Sequence, residues 1–335
     1  MTNHETLMRR AMHMAATART HARPNPWVGA VVVCVDGSVY EGATQPPGGP
    51  HAEIVAMNAA RDGGSDVRGA TLYSTLEPCS HTGRTGPCTE AIISAGVSCV
   101  VAAIADPDSH VAGTGFDALR AAGIEVVTDV LTDEVSAQLA PYLHHRRTGR
   151  PFVMLKMATT LDARTAIPNG PRWITGEEAR IRVHQLRAES DAIVVGSGTV
   201  IADDPELTVR HVDGVSPRRI ILSRSGAVSA TAKVQPCDVW SGSLEDLLDS
   251  LGDEGVLQLM VEGGATVATA FHEQGLINRY VFHVAPIVSG NDSAPGVFVG
   301  DSALPLSDCT LVSAIALGAD IEIVLDPIRK KVGTS

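Results

Sequence analysis

Two short stretches decide how this chain folds: His51-Ala52-Glu53, and Pro78-Cys79-Ser80-His81-Thr82-Gly83-Arg84-Thr85-Gly86-Pro87-Cys88. One imidazole (His51) and two thiols (Cys79, Cys88) form the borderline-to-soft donor set that zinc takes. Three protein ligands leave a tetrahedral ion one open position. Metal at an open position can carry a water whose pKa falls to about 7. A closed structural site would need a fourth ligand, and His81 in the intervening loop is the alternative that would supply it. Glu53 follows His51 by two residues, in the first turn of a helix expected to open near His51. It can face the same water without binding the metal, as a general acid and base. Cys79 follows Pro78 and is expected at a helix start, where the helix dipole favours a thiolate. Taken singly, a His or Cys is more often a packing residue; the ordered set with Glu53 and both prolines carries the reading.

Outward from these stretches, strands and helices alternate. Met1–Ala22 reads as an amphipathic helix and Val28–Val35 as a β-branched strand, with a hairpin turn at Asp36-Gly37. Ala70–Thr75, Val97–Ala105 and Ile124–Thr128 read as strands; Thr89–Ala95 and Gly115–Ala122 read as helices. The basic stretch His144–Pro151 interrupts the hydrophobic pattern and suggests a boundary, giving domains at residues 1–146 and 147–335. Beyond it come strands at Phe152–Ala158, Asp191–Gly196, Arg219–Leu222, Leu257–Glu262, Arg279–Val288 and Ile321–Leu325. Helices are expected at Gly176–Ala188 and Ala265–Gln274. The pattern predicts two α/β domains.

Composition agrees with that reading and narrows the partners. The 335 residues suit two domains, and 44% hydrophobic with 19% charged residues is enough for packed cores. The net charge of −12 argues against a general grip on nucleic acid or an anionic membrane, and 4% aromatics leaves few stacking platforms. The N-terminus shows no secretory pattern, and the Val28–Val35 run is far too short to span a bilayer, so a cytoplasmic protein is expected. The six cysteines are sparse, which favours metal ligands or buried thiols over disulfides. Cys34 and Cys99 lie in apolar strands and read as core residues.

The order H-x-E…P-C…C is the zinc deaminase signature, except that the generic pattern has two residues between the cysteines and this chain has SHTGRTGP. That longer loop resembles the bifunctional riboflavin-biosynthesis deaminase–reductase family. So do Pro24-Asn25-Pro26-Trp27-Val28-Gly29-Ala30, Thr75-Leu76-Glu77-Pro78-Cys79, Leu155-Lys156, Leu161-Asp162-Ala163-Arg164-Thr165, Trp173-Ile174-Thr175, Ala202-Asp203-Asp204-Pro205 and Val261-Glu262-Gly263-Gly264-Ala265-Thr266. The resemblance covers almost the whole chain.

The resemblance implies a cytidine-deaminase-like α/β/α domain followed by a dihydrofolate-reductase-like α/β domain. The first would hydrolytically deaminate a diaminopyrimidinone bearing a phosphoribosylamino group; the second would reduce the ribosyl to a ribityl chain with NADPH. It further implies Zn2+ on His51, Cys79 and Cys88, with Glu53 catalytic and Asn25 and Arg84 on the first substrate. Cofactor contacts would come from Ala158, Trp173, Thr199, Asp203, Ser223 and the segment Gly264, Ala265, Thr266, Val267, Ala268, Thr269, Ala270. Second-substrate contacts would come from Arg187, Leu207, Arg210 and Glu262, the two arginines being the natural pair for the phosphate. Ser223 with Arg224 would suit a 2′-phosphate, hence NADP. The Gly-Gly at Gly263-Gly264, opening a helix after a strand, would let the backbone approach a pyrophosphate; it is not a GxGxxG motif, so no Rossmann domain is expected. A homo-oligomer is expected. Three positions depart from the family: Thr44 where a His is common, Ala163 where Gly is usual, and Pro171-Arg172 ahead of Trp173. Competing readings are a deaminase with a non-catalytic second domain, and a zinc deaminase of another nucleobase.

Overall fold

In the computed structural model, residues 3–81, 86–108, 113–168, 170, 173–300 and 308–328 are described. The chain divides into two compact units, Met1–Gly149 and Arg150–Ser335. None of the helices among the described residues is long and apolar enough to cross a membrane.

The first unit runs α1 (Asn3–Ala18), β1 (Gly29–Val33), β2 (Val39–Ala43), α2 (Ala52–Asp62), β3 (Thr71–Ser74), α3 (Cys88–Ala95), β4 (Cys99–Ala102), α4 (Thr114–Ala121), β5 (Glu125–Val127), α5 (Thr132–Gln138) and α6 (Ala140–Thr148). The sheet order is β2-β1-β3-β4-β5. β1 and β2 form the hairpin expected at Asp36-Gly37, β1 is antiparallel to β3, and β3, β4 and β5 are parallel. Two glycines decide where the helices sit. A Cβ on Gly29 would lie 1.9 Å from the Ala11 carbonyl oxygen, on α1. A Cβ on Gly42 would lie 2.4 Å from both the Ala52 carbonyl oxygen and the Ala56 nitrogen, on α2. Gly29 pairs with Ala43 and Gly42 with Ala30, so the two glycines face opposite sides of the sheet. Helices therefore cover both faces, and β1, buried through Val32, reads as a continuous apolar run.

The second unit runs β6 (Phe152–Thr160), α7 (Glu177–Ala188), β7 (Ala192–Gly196), α8 (Ser197–Asp203), β8 (Arg218–Leu222), β9 (Asp238–Trp240), α9 (Leu244–Asp253), β10 (Gln258–Val261), α10 (Ala265–Glu273), β11 (Arg279–Ala285), β12 (Cys309–Leu317) and β13 (Asp320–Pro327). The eight strands lie in the order β12-β13-β11-β6-β10-β7-β8-β9. From β11 to β9 every pairing is parallel; β13 and β12 close that end antiparallel. Val153, Leu155, Leu259 and Val261 pack with the leucines of α9 and Phe271 of α10 on one face. Met154, Ile193, Val195 and Met260 pack with Val183 and Leu186 of α7 on the other.

Some local expectations are corrected. Cys79 does not start a helix; it lies in the irregular segment after β3, and Cys88 opens α3. His144–Thr148 is not a break in structure but the end of α6, which stops at Gly149 with φ +72°. The Arg279 strand ends at Ala285, because Pro286 has no N–H to extend the ladder. The elements α5, α6, α8, β9, α9 and β12 go unread in the sequence. Of these, α9 carries a signal: Ser243 accepts the Asp246 N–H at 3.1 Å, and Leu244, Leu247, Leu248 and Leu251 form its buried stripe.

The departure at Ala163 has a conformational meaning. Ala163 adopts φ +58° in the turn after β6, held by its N–H to the Thr160 carbonyl at 3.0 Å. A left-handed residue with a Cβ costs roughly 1–2 kcal/mol that glycine escapes. Ala163→Gly is therefore expected to raise the unfolding free energy by about 1 kcal/mol, read as a higher urea midpoint at unchanged slope.

Candidate active sites

In the first unit, α2 delivers two groups from one turn. His51 is its N-cap in an extended conformation, and Glu53 sits in the first turn, 3% exposed. The His51 Nδ1 lies 3.5 Å from Cys79 Sγ and 3.3 Å from Cys88 Sγ. The three donor atoms all lie within 4.8 Å of one another, the one such cluster among the described residues. The donors suit zinc, and Glu53 stays outside the set while the Cys88 thiol donates to its Oε2 at 3.7 Å. The first amide of α3, Cys88 N–H, donates to Cys79 Sγ at 3.4 Å, and Thr89 N–H donates to the Cys79 carbonyl at 3.1 Å. A helix start thus does reach Cys79, but it is the start of α3. The hydrogen bond from the Cys88 thiol pulls Cys79 down and pushes Cys88 up, making Cys79 the thiolate of the pair; His51 reinforces this. Burial, with the Cys79 charge added, pushes the Glu53 carboxyl up to about 7.

The remaining first-unit expectations fare unevenly. Asn25 is half-buried between Pro24 and Pro26, and its N–H donates to the Ala22 carbonyl at 3.0 Å. Arg84 lies outside the described residues, as do Pro171 and Arg172. Thr44 is buried, and its hydroxyl is engaged by the backbone of one residue: it accepts Val28 N–H at 3.0 Å and donates to the Val28 carbonyl at 3.3 Å.

In the second unit the parallel strands bring the expected cofactor residues to one sheet edge, the carboxyl end, where open α/β sheets bind ligands. Ala158 is near the end of β6, Thr199 and Asp203 follow β7, Ser223 follows β8, and Gly264 follows β10. The Gly264 N–H donates to the Thr199 Oγ1 at 3.2 Å, joining the two glycine-rich segments. Gly264 is the N-cap of α10 and makes no side-chain cap bond, and a Cβ on Gly198 would meet nothing within 4 Å. That cradle suits a phosphate. Ser223 is buried, its hydroxyl 3.1 Å from the Ser225 hydroxyl. Trp173 is 60% exposed, with the Arg180 guanidinium 5.9 Å from its ring. Within the 264–270 segment, Ala268 packs into the core. The Thr269 hydroxyl is taken up by the Val299 backbone at 2.9 and 3.0 Å.

The two arginines are not an open pair. Arg187, 8% exposed, grips Glu262 through two bonds of 2.7 and 2.9 Å and donates to the Thr208 carbonyl at 3.1 Å. Arg210 is exposed and donates to Glu206 at 2.6 Å and to the Thr208 hydroxyl at 2.9 Å. Leu207, between them, is buried at φ +54°. Arg187 thus joins Glu262 to the loop that carries Leu207 and Arg210, with each guanidinium already on a carboxylate.

Sequence reasoning missed a buried polar layer under α7. Lys156 is 6% exposed on the Met154 face of β6, and burial lowers its pKa. Glu262 and Glu322 hold its charge from either side, opposed by Arg187. Each carboxylate is held by an arginine of α7: Glu262 by Arg187, and Glu322 by Arg182 at 3.0 Å. His283 is fully buried, with Nε2 3.0 Å from Glu322. A lysine inside the apolar run 152–158 is the one signal that the sequence offered.

Comparison with known proteins follows this division. The family profile of the cytidine and deoxycytidylate deaminase zinc-binding region matches residues 1–104, and that of the RibD C-terminal domain matches residues 151–323. The riboflavin biosynthesis protein RibD of Mycobacterium tuberculosis is 42% identical over 279 residues, covering 80% of each chain. RibD of Acinetobacter baumannii superposes with a TM-score of 0.88 at 36% identity, covering 97% of this chain and 99% of that one. The Thermotoga maritima diaminohydroxyphosphoribosylaminopyrimidine deaminase/5-amino-6-(5-phosphoribosylamino)uracil reductase superposes with a TM-score of 0.86 at 33% identity, with the same coverages.

One titration in the second unit has a stability consequence. Burial, with Arg187 and Arg210 nearby, pushes His184 down to about 4, and its neutral Nδ1 accepts the Arg210 N–H at 3.2 Å. Above its ordinary value of 6.5 the ring is neutral folded or unfolded, so it contributes no pH dependence. Below 6.5 the unfolded chain takes the proton first, so stability falls as pH drops towards 4. Between pH 7 and pH 5 the loss from this group is about 2 kcal/mol. His184→Gln, which keeps an acceptor, should flatten that part of the urea-midpoint profile.

Proposed function

Because the chain belongs to the RibD family of bifunctional deaminase–reductases, we propose that its two units carry out consecutive steps of riboflavin biosynthesis, with the residues described above in defined roles. It is a zinc-dependent deaminase and an NADPH-dependent reductase. The first step acts on 2,5-diamino-6-(5-phosphoribosylamino)pyrimidin-4(3H)-one; the second reduces the ribosyl chain of its product to a ribityl chain. The observation that carries this reading is the convergence of His51 Nδ1, Cys79 Sγ and Cys88 Sγ beside a buried Glu53.

His51, Cys79 and Cys88 would hold the zinc, which when bound supplies Lewis-acid activation of the attacking water. Glu53 does the proton work. Its carboxylate takes a proton from the water and gives it to the pyrimidine ring nitrogen. It then takes the proton of the added hydroxyl and gives it to the departing amine, so that the C–N bond breaks, the carbonyl forms and ammonia leaves. A carboxyl raised by burial holds a proton more readily than an exposed one, which suits a group that both takes and gives it, and such a group typically contributes 10²–10⁴-fold. Asn25 and Arg84 are assigned to the pyrimidine edge and the phosphoribosyl group.

In the second unit the cradle between Thr199 and Gly264 would receive the cofactor pyrophosphate, with Ala158, Trp173, Asp203, Ser223 and residues 264–270 around it. NADPH, when bound there, would supply the hydride chemistry that reduction at C1′ needs. Arg187 orients Glu262 towards the substrate, and Arg210, at the surface of the same loop with Leu207, takes the phosphate. The ribosyl oxygen released at C1′ needs a proton, which we assign to Lys156.

Self-association is part of the proposal. The β12–β13 hairpin exposes Leu311, Ala314, Ala316 and Ile321 on one face, Leu311 at 60% and Ile321 at 47%, and the nine residues of β12 include no charge. Open, uncharged edge strands of that kind invite a partner strand. A cytoplasmic setting suits an enzyme that needs free thiols and NADPH.

The test follows product mass. Zinc-loaded protein with the diaminopyrimidinone should add about one mass unit without NADPH and a further two units with it. Glu53→Gln should abolish the first gain while retaining zinc by elemental analysis, because Glu53 is not a ligand. Loss of metal in that variant would contradict the assigned role. Deamination without the second gain would leave the second unit non-catalytic.

A further inference from the structure

Cys79 comes from a segment with no regular secondary structure, yet a metal ligand must be held to within a few tenths of an ångström. On one side α3 holds it, through the Cys88 and Thr89 amides. On the other side the support passes through Glu77, two residues earlier. Glu77 is 3% exposed. Its Oε2 accepts the N–H of Asp106 at 3.1 Å and of Gly113 at 3.1 Å. Its Oε1 accepts the N–H of Gly115 at 2.9 Å and of Phe116 at 3.3 Å. The Glu77 N–H in turn donates to the Ile104 carbonyl at 3.0 Å, just past β4.

Two further contacts fasten the same segment to the start of α4. A Cβ on Gly115 would stand 2.2 Å from the Pro78 carbonyl oxygen, so α4 and the 77–78 backbone are in direct contact. The Ser80 and Thr114 hydroxyls are 2.7 Å apart. The residues on either side of Cys79 are therefore bound to one helix start.

We propose that Glu77 is a positioning residue of the deaminase site: its carboxylate, by gathering four amides around α4, fixes where Cys79 presents its sulfur. The reasoning is one of hydrogen-bond supply. The N–H groups of Asp106, Gly113, Gly115 and Phe116, three of these bonds buried and that of Gly113 part-buried, have a single common acceptor, and a carboxylate is acceptor-only. Glu77→Gln substitutes an NH2 for one oxygen, so a donor then faces two donors. Those amides must find other acceptors, and residues 77–80 must shift with them. The proposal rests on His51, Cys79 and Cys88 being the metal site.

The experiment compares full-length wild type, Glu77→Gln and Gly115→Ala. The last drives a methyl into the Pro78 carbonyl without touching the carboxylate. Zinc affinity is measured by competition with a chelating dye, the cobalt-substituted proteins are compared by their thiolate-to-metal charge-transfer absorption, and the reductase rate reports an intact second unit. By analogy with other groups that orient metal ligands, zinc affinity should fall about 10- to 100-fold in both variants. The cobalt spectrum should change in both, with the reductase rate preserved. Wild-type affinity and spectrum in both variants would overturn the proposal. Should Glu77→Gln fail to fold, Ser80→Ala, which removes only the outermost contact, must show a smaller loss of the same sign; no loss there and in Gly115→Ala also overturns it. A wild-type protein that binds no zinc would instead sink the reading of the site itself.

Discussion

The chemistry of the first unit depends on how closely α2 can approach the sheet. Its backbone at Ala52 and Ala56 lies where a side chain on Gly42 would stand. His51 and Glu53 come from the same end of that helix, so their distance from the two cysteines is set by this backbone-on-backbone contact. Any residue larger than glycine at position 42 would displace the helix, and with it His51 and Glu53 together. The site is thus built from a helix start pressed against a sheet, and loop conformation plays a smaller part on that side than on the cysteine side.

The second unit meets a different constraint. Its α7 face buries charge. Two carboxylates, Glu262 and Glu322, are each held by an arginine of the same helix, with Lys156 between them. Burying ion pairs costs as much desolvation as it returns in attraction, so such a layer is poor evidence for stability. It does fix geometry. Arg187 spends its fork on Glu262 and its remaining reach on the 208 carbonyl, so one side chain ties the end of β10 to the 208 loop.

The sequence disclosed the chemistry more readily than the scaffolding. His51, Glu53, Cys79 and Cys88 were legible because zinc demands particular donors and deamination demands a nearby proton carrier; the structure draws them together. The reason for the Cys79 thiolate was misplaced. Its amide comes from nine residues downstream, and local pattern cannot show which helix start folds back onto a loop. The Arg187–Glu262 partnership was equally hidden, since 75 residues separate the two. The meaning of Ala163 required a φ angle. The exposed strand β12 escaped because it lacks the alternation of a half-buried strand, exposing residues on both faces. Only α9 was missed despite a readable cap and stripe.

The donor cluster has a consequence for handling the protein. Cys79 and Cys88 present their sulfurs within 4.8 Å of each other. With metal in place both are occupied. Stripped of metal, they are a vicinal-like dithiol in which the pKa of the Cys79 thiol is lowered by its hydrogen bond from Cys88, the arrangement from which oxidants make a disulfide. Such a bond would remove two of the three donors at once. Protein depleted of zinc in air would then refuse the metal on return until a thiol reductant had been added, and the order of those two additions would decide whether the preparation recovers.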